Sequence, residues 1–253
     1  MDRKIAIIGY GFVGRAVGEW FKEKQPLIYD KYSPGYQKDN INEADIIFVC
    51  VPTPFNDGFD DKEVIDSLKK INKGKIVVIK STIIPGSTEK YQKKFPHLKI
   101  LFNPEFLVEK TSEYDFIHPE RQIIGFTGKS KECAEEILSL LPKAPWKLIC
   151  DSKVAEMAKY VNNAFLATKL IFFEQIFDIC VKSKIPYESV KWIVTRDPRI
   201  SESHTTIGMD DKRGFAGKCL PKDLSSLIEF AEELKSEPLL LKAVDYLNEQ
   251  YNG

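Results

Sequence analysis

The 253-residue chain has no uninterrupted apolar run approaching the roughly 18 residues that a bilayer-spanning helix needs. Its opening, Met-Asp-Arg-Lys before a short apolar stretch that runs straight into glycines, lacks the form of a secretory signal peptide. Together these absences predict a cytoplasmic protein with no membrane partner. Net charge is also missing: 37 basic residues balance 37 acidic ones, so there is no broad electrostatic footprint for nucleic acid, though a local basic patch stays open. Five cysteines form no C-x-x-C pair and are odd in number, which excludes a disulfide framework and suits cytosolic thiols. Three scattered histidines (His97, His118, His204) give no zinc-ligand spacing, and no metal is expected. Internal repeats and low-complexity tracts are absent. The length suits one large domain or two modest ones.

What is present is organised around one long helical pattern, Ser152 to Lys182, free of Pro and Gly. Its apolar positions Val154, Ala158, Val161, Phe165, Thr168, Phe172, Ile176 and Ile179 recur at steps of three or four, and Asp151 and Ser152 supply N-cap chemistry. Such a helix spans about 45 Å. Lys159 and Asn163, with Glu156 and Glu174 nearby on the helix surface, form a polar stripe that spacing alone reads as solvated. Strand and helix signals alternate before this helix and mostly helical signals follow. The chain is therefore divided into 1–150 and 151–253.

In the first half, the strand Lys4–Ile8 runs into Gly9-Tyr10-Gly11-Phe12-Val13-Gly14, followed by a helix over Arg15–Lys24 and a second strand, Pro26–Asp30, ending in an acid. Gly9 permits the tight turn, Gly11 lets a pyrophosphate approach the backbone at the helix N-terminus, and Gly14 lets helix and strand pack closely. Asp30 is placed to accept hydrogen bonds from an adenosine ribose, which favours NAD. Lys31 beside it keeps NADP open. Lys31–Glu43 is short and polar. Strands then follow at Ala44–Val51, Lys75–Lys80, Leu98–Phe102, Arg121–Phe126 and Trp146–Ile149. Helices are expected over Asp60–Ile71, Ser87–Phe95 and Ser130–Leu141, with Thr111–Pro119 a plain connection. The alternation predicts a parallel sheet with ligands gathered at the strands' carboxyl ends. Pro52-Thr53-Pro54, Ser81-Thr82 and Asn103-Pro104-Glu105 all fall at those ends.

In the second half a short helix, Tyr187–Val194, precedes an irregular stretch, Asp197–Asp211. The run from Asp211 through Lys212, Arg213, Gly214, Phe215, Ala216, Gly217, Lys218, Cys219, Leu220, Pro221 and Lys222 to Asp223 comes next, then helical segments Leu224–Leu234 and Pro238–Asn248. Cys219 stands before a helix N-terminus among Arg213, Lys218 and Lys222. Positive charge and unpaired backbone N–H groups there favour a thiolate, and the local chemistry suits either a reactive thiol or an incidental loop cysteine.

The run Gly214–Asp223 resembles the cysteine motif of the UDP-glucose/GDP-mannose dehydrogenase family, NAD-dependent enzymes that oxidise a sugar nucleotide twice, from alcohol to carboxylate. Gly9–Gly14, Val51-Pro52-Thr53-Pro54, Lys80-Ser81-Thr82 with Pro85-Gly86, Asn103-Pro104-Glu105-Phe106-Leu107 with Glu109, and Lys159–Asn163 resemble the family's other motifs in order. The resemblance implies a Rossmann-type parallel sheet domain joined by the long helix to a smaller all-helical domain, and NAD as cofactor. It implies that Cys219 holds the aldehyde stage as a thiohemiacetal and then a thioester, and that Glu109 assists thioester hydrolysis. Lys159 and Asn163 bind the reacting oxygen, Asp223 with Thr82 moves the proton of the first oxidation, and Glu105 is a supporting acid. Gly9–Gly14, Asp30, Lys31, Val51, Pro52, Thr53, Ser81, Thr82 and Glu109 are the expected cofactor contacts. Phe106, Leu107, Lys159, Asn163, Arg213, Gly217 and Lys222 are the expected contacts of a nucleotide-sugar substrate, and a homodimer is expected through the long helix and second half. Family members carry a third, C-terminal nucleotide-binding domain, so this sequence is expected to be a shortened form. Ala216 stands where a Gly is usual, and Phe173-Glu174 where Asn-Glu is usual. Two other functions fit the same frame: a hydroxyacid-type dehydrogenase making one hydride transfer, and a non-catalytic nucleotide-binding or assembly subunit.

Overall fold

The computed structural model describes residues 3–37, 39–208 and 213–252. Asp211 and Lys212, expected to open the cysteine run, lie outside the described residues. The chain forms two compact units, Met1–Lys159 and Tyr160–Gly253.

The first unit is built on strands β1 (Ile5–Ile8), β2 (Leu27–Tyr29), β3 (Ile46–Val49), β4 (Ile76–Ile79), β5 (Lys99–Phe102), β6 (Arg121–Phe126) and β7 (Trp146–Asp151), with helices α1 (Phe12–Trp20), α2 (Lys62–Lys69), α3 (Ser87–Lys94), α4 (Ser112–Ile117) and α5 (Ala134–Leu140) between them. They form one sheet in the order β2-β1-β3-β4-β5-β6-β7. The central strands read as unbroken β-branched runs because both faces are covered. Ala6, Ile8, Ile47, Val49, Val77 and Ile79 belong to the apolar cluster on one side. Ile5, Ile7, Ile46, Phe48, Ile76 and Val78 belong to the cluster on the other.

Three expectations are corrected here. The sheet is not wholly parallel: β6 pairs antiparallel with β5, Leu101 opposite Phe126 and Phe102 opposite Gly125, whereas β6 and β7 are parallel. A strand's composition does not encode its direction, so the reversal left no mark on the pattern. The stretch 111–119 is not a plain connection but carries α4, a helix too short to display a period, which buries Phe116. Finally, α1 begins at Phe12 directly after Gly11, not at Arg15, so the glycine turn and the helix N-terminus are contiguous.

Helix α6 (Ser152–Ser183) begins in the first unit and continues through the second. Gly125 lets it start close to β6, since a Cβ there would stand 2.9 Å from the Ser152 Cα. The second unit adds α7 (Tyr187–Val194), α8 (Leu220–Glu233) and α9 (Leu239–Asn252). Phe173, Cys180 and Tyr187 form a small buried cluster there, with Ile176, Val190 and Ile207 against it. Helix α8 starts four residues before the expected Leu224, with Cys219 as its N-cap residue and Pro221 in its first turn, where a missing N–H costs nothing.

Candidate functional site

The cofactor cradle is built where β1 meets α1. Gly9 has φ +87°, and a Cβ there would stand 2.7 Å from the Cys50 carbonyl oxygen; at Gly14 it would stand 2.0 Å from the Gly9 oxygen. Both positions therefore demand glycine. Above Gly11 nothing among the described residues lies within 4 Å of where a Cβ would be, and Gly11, the N-cap residue, has no side chain to cap α1. An uncapped helix N-terminus with open space over its first residue is what a pyrophosphate requires. The Tyr10 ring packs on Gly18 and stands 4.7 Å from the Tyr36 ring, while its backbone N–H donates to Asp30 Oδ2 at 2.7 Å. The other Asp30 oxygen accepts the Tyr32 N–H at 2.8 Å, so the carboxylate is aimed by backbone alone and keeps lone pairs for a ribose. Beside it a cavity of about 270 Å³ is lined by Gly9, Asp30, Lys31, Val51, Pro52 and Glu63, among others. These residues fit the adenosine end of NAD.

Hydroxyls tie the neighbouring strand ends together. Ser81 Oγ donates to the Val51 carbonyl at 2.7 Å, and Thr53 Oγ1 donates to the Thr82 carbonyl at 2.7 Å. Ser81 and Thr53 are thereby oriented by the fold itself, and Thr82 stays half-buried at the end of β4.

After β5 the Asn103–Leu107 turn gathers buried charge. Lys159 Nζ lies 2.8 Å from Glu105 Oε1, and both side chains are buried. Glu105 Oε2 accepts the Leu107 N–H at 2.8 Å. Burial, the largest single influence, pushes the Glu105 carboxyl up. The Lys159 charge and hydrogen bond, the Leu107 N–H and the Lys80 charge outweigh it and hold the group below its ordinary value. The Phe106 ring has the Arg121 guanidinium 3.7 Å from its centroid and Lys159 Nζ 5.5 Å from it. Leu107 is half-buried, while Glu109 is exposed at the start of a 3-10 turn, Glu109–Thr111.

Sequence reasoning gave no role to Lys80. It is buried, donates to Asn103 Oδ1 at 2.6 Å, and has no ion pair among the described residues; burial lowers its ammonium to about 8. The available signal was a lysine closing an otherwise apolar strand, Ile76–Ile79, where a cation has no cheap exit to water.

The polar stripe of α6 is not solvated, contrary to its spacing. Glu156 is fully buried and accepts the Gly86 N–H at 2.5 Å, the Thr88 N–H at 2.8 Å and the Thr88 hydroxyl at 2.5 Å, capping α3 from another helix. Burial raises its carboxyl, and the three bonds partly offset that. Glu174 is buried as well, accepting the Gly214 N–H at 2.6 Å and pairing with Arg213.

Within the second unit, Asn163 Nδ2 donates to Asp223 Oδ2 at 2.6 Å, and Lys222 Nζ lies 2.5 Å from Asp223 Oδ1. Asp223 and Asn163 are both buried, so each fixes the other's orientation. Cys219 is exposed at the N-terminus of α8. Arg213, expected to meet substrate phosphate, is held by Glu174 and by Asp178 at 2.9 Å, with its guanidinium 4.7 Å from the Tyr251 ring centroid. Two of the three cations around Cys219 in the sequence thus already have carboxylate partners. Gly214 and Gly217 have φ +70° and +86°, and Ala216 is not among the residues with positive φ, so its methyl group costs nothing.

Among the described residues, no helix is long and apolar enough to cross a membrane. The chain matches the NAD binding domain of the UDP-glucose/GDP-mannose dehydrogenase family over residues 33–142 and the central domain over residues 153–250. It is 33% identical over 244 residues to a UDP-glucose 6-dehydrogenase of Rickettsia felis, covering 92% of this chain and 53% of that protein. The chain therefore spans about half the length of such relatives. A UDP-glucose dehydrogenase of Pyrobaculum islandicum superposes with TM-score 0.85 at 26% identity, over 98% of this chain and 68% of that one. A 3-hydroxyisobutyrate dehydrogenase of Mycobacterium tuberculosis shares the fold, with TM-score 0.75 at 16% identity over 99% of this chain and 94% of that one. With both domain matches in sequence order and the glycine cradle in place, the chain belongs to the UDP-glucose/GDP-mannose dehydrogenase family, with NAD as its cofactor.

Proposed function

We propose that the chain is an NAD-dependent nucleotide-sugar 6-dehydrogenase that oxidises the C6 alcohol of a UDP- or GDP-hexose to the uronic acid through Cys219. The observation that carries this reading is the buried polar set on α6: Lys159 held by Glu105, and Asn163, one helical turn on, held by Asp223. A lysine and an amide buried in fixed orientation suit a developing oxyanion. On this reading 1–150 is the cofactor domain, and 151–253 is a helical domain with the cysteine turn.

NAD would accept one hydride at each of the two oxidations, the first NADH having to leave and a second NAD to bind before the second. Asp223, with Thr82 in support, takes the proton of the C6 hydroxyl as the alcohol becomes the aldehyde. The Cys219 thiolate then forms a C–S bond to the aldehyde carbon, giving a thiohemiacetal; loss of its hydride leaves a thioester. Water, assisted by Glu109, breaks the C–S bond and releases the carboxylate and the thiol. Lys159 and Asn163 stabilise the charge on the reacting oxygen throughout, and Glu105 keeps Lys159 in place. Phe106, Leu107, Gly217 and Lys222 are assigned to substrate contact.

A panel of UDP- and GDP-hexoses mixed with NAD and freshly reduced protein tests this reading. Two NADH per sugar, and loss of acid formation in Cys219→Ser, are the expected results. No turnover with any member of the panel sinks the substrate class. One NADH per substrate with indifference to Cys219 would indicate the hydroxyacid-type reaction, and NAD binding without turnover a non-catalytic subunit.

The same reading takes the protein to be a cytoplasmic homodimer. In support, Val154, Val161, Phe165, Phe172 and Ile179 are exposed at three- and four-residue steps or their sums along α6, a seam for a second copy. Sedimentation of a monomer at micromolar concentration would sink the dimer.

A further inference from the structure

The cavity beside Asp30 raises a question of cofactor choice. NADP differs from NAD by a phosphate on the adenosine ribose, about two negative charges, and a site that accepts it must offer a cation there. Lys31, next to the ribose-binding acid, has the chemistry to do so. In the fold it is committed elsewhere: its Nζ lies 2.7 Å from Glu63 Oε1, and the Tyr32 hydroxyl donates to the same oxygen at 3.0 Å.

The backbone on either side of Lys31 is held by hydrogen bonds. Asp30 N–H donates to the Tyr36 carbonyl at 2.9 Å, Tyr32 N–H donates to Asp30 Oδ1, and Gln37 Nε2 donates to the Lys31 carbonyl at 2.7 Å. The short 31–37 segment therefore closes on itself, while the Lys31 side chain stays half-exposed beside Glu63. Glu63 comes from the second turn-forming element of the site, the first turn of α2, where a carboxylate is also favoured by the helix N-terminus. The other lysines lining the cavity are engaged too. Lys69 is 2.8 Å from Asp66, and Lys70 donates to the Tyr29 hydroxyl at 2.6 Å.

We propose that Glu63 is the residue that makes this cavity selective for an unphosphorylated adenosine ribose, by neutralising Lys31 and so leaving the Asp30 charge uncompensated. A 2′-phosphate would then meet Asp30 and a Lys31–Glu63 pair of no net charge. The sequence rule that assigns selectivity to Asp30 alone is incomplete here, because Lys31 would offset it if Glu63 were not present. The proposal rests on the reading of the cavity as the cofactor's adenosine end.

Equilibrium titration of the full chain with NAD and with NADP, at low and high salt, tests it without any substrate. The unmodified chain should prefer NAD by about 100-fold, and Glu63→Gln should cut that preference about tenfold, chiefly through tighter NADP binding. The gain should shrink at high salt, since an exposed lysine supplies it. Adding Lys31→Met to Glu63→Gln should abolish the gain. An unchanged NADP-to-NAD ratio in Glu63→Gln overturns the proposal. So does a gain that survives Lys31→Met, which would assign the phosphate to Lys70. Failure of the unmodified chain to bind NAD would overturn the cofactor reading and this proposal with it, whereas NAD binding with an unmoved ratio overturns this proposal alone.

Discussion

The two faces of α6 both depart from those of an ordinary surface helix, although Ala155, Ala164, Ala167, Ile171, Phe173 and Cys180 are buried in the usual way. Its buried face carries Glu156, Lys159, Asn163, Lys169 and Glu174, and its exposed face carries Val154, Val161, Phe165, Phe172 and Ile179. The difference lies in partners. Each of these five buried polar groups has a defined one: a helix N-terminus for Glu156, a carboxylate for Lys159, Asp223 for Asn163, the carbonyls of Ile200 and Ser201 for Lys169, and Gly214 with Arg213 for Glu174. Polar groups so satisfied can be buried, whereas apolar periodicity reports only which residues avoid water, including at a surface meant for another chain.

The largest effect should come from the buried face. Glu156→Ala strands the Gly86 and Thr88 donors in a dry site, and denaturant titration should show a loss of about 3 kcal/mol or more. A loss under about 0.5 kcal/mol would mean water replaces the carboxylate and would break the contrast between the faces.

Lys80 sharpens the same comparison, because it is a buried lysine with an amide partner where Lys159 has a carboxylate. Its ammonium falls to about 8 from an ordinary value of 10.5, chiefly through burial. Between those values the unfolded chain holds more protons than the folded one, so stability should rise as pH increases through that window. The group's full contribution is about 3 kcal/mol, felt as a cost below pH 8 and relieved toward pH 10.5. Lys80→Met should remove that pH dependence in urea titrations at pH 7.5 and 10. An identical pH profile in the variant would place the lysine's charge in contact with water.

The smallest effect on folding should come from the exposed face. Phe165→Glu with Phe172→Glu should change the folding free energy of a dilute monomer by under about 0.5 kcal/mol. The same variant should sediment at half the mass of the unmodified chain at micromolar concentration. A stable dimer in the variant would place the interface away from this stripe.

Much of the first unit was legible because local chemistry writes it out. Gly9, Gly11 and Gly14 are required by close approaches within a few residues, and the β-branched strands by burial on both faces. The Cys219 turn was legible for the same reason, as a run of neighbours. What was not legible depends on distant partners. Nothing near Glu156 or Glu174 signals burial, because the donors they satisfy lie on α3 and in the Arg213–Gly214 turn. The Lys31–Glu63 pair links a loop to α2, and the direction of β6 shows only in its pairing with β5, not in its own six residues. Helix α4 escaped because six residues are fewer than two turns.

The two hydroxyl bonds at the ends of β3 and β4, from Ser81 to Val51 and from Thr53 to Thr82, give the loops a shared inheritance. Each loop supplies a donor to the other's backbone, so neither can lengthen or shift without stranding a buried group in its neighbour. Variation at these positions should therefore be epistatic: a change tolerated in one loop depends on the residue standing in the other. Grafting a cofactor or substrate loop from a longer relative would then succeed only when both are moved together.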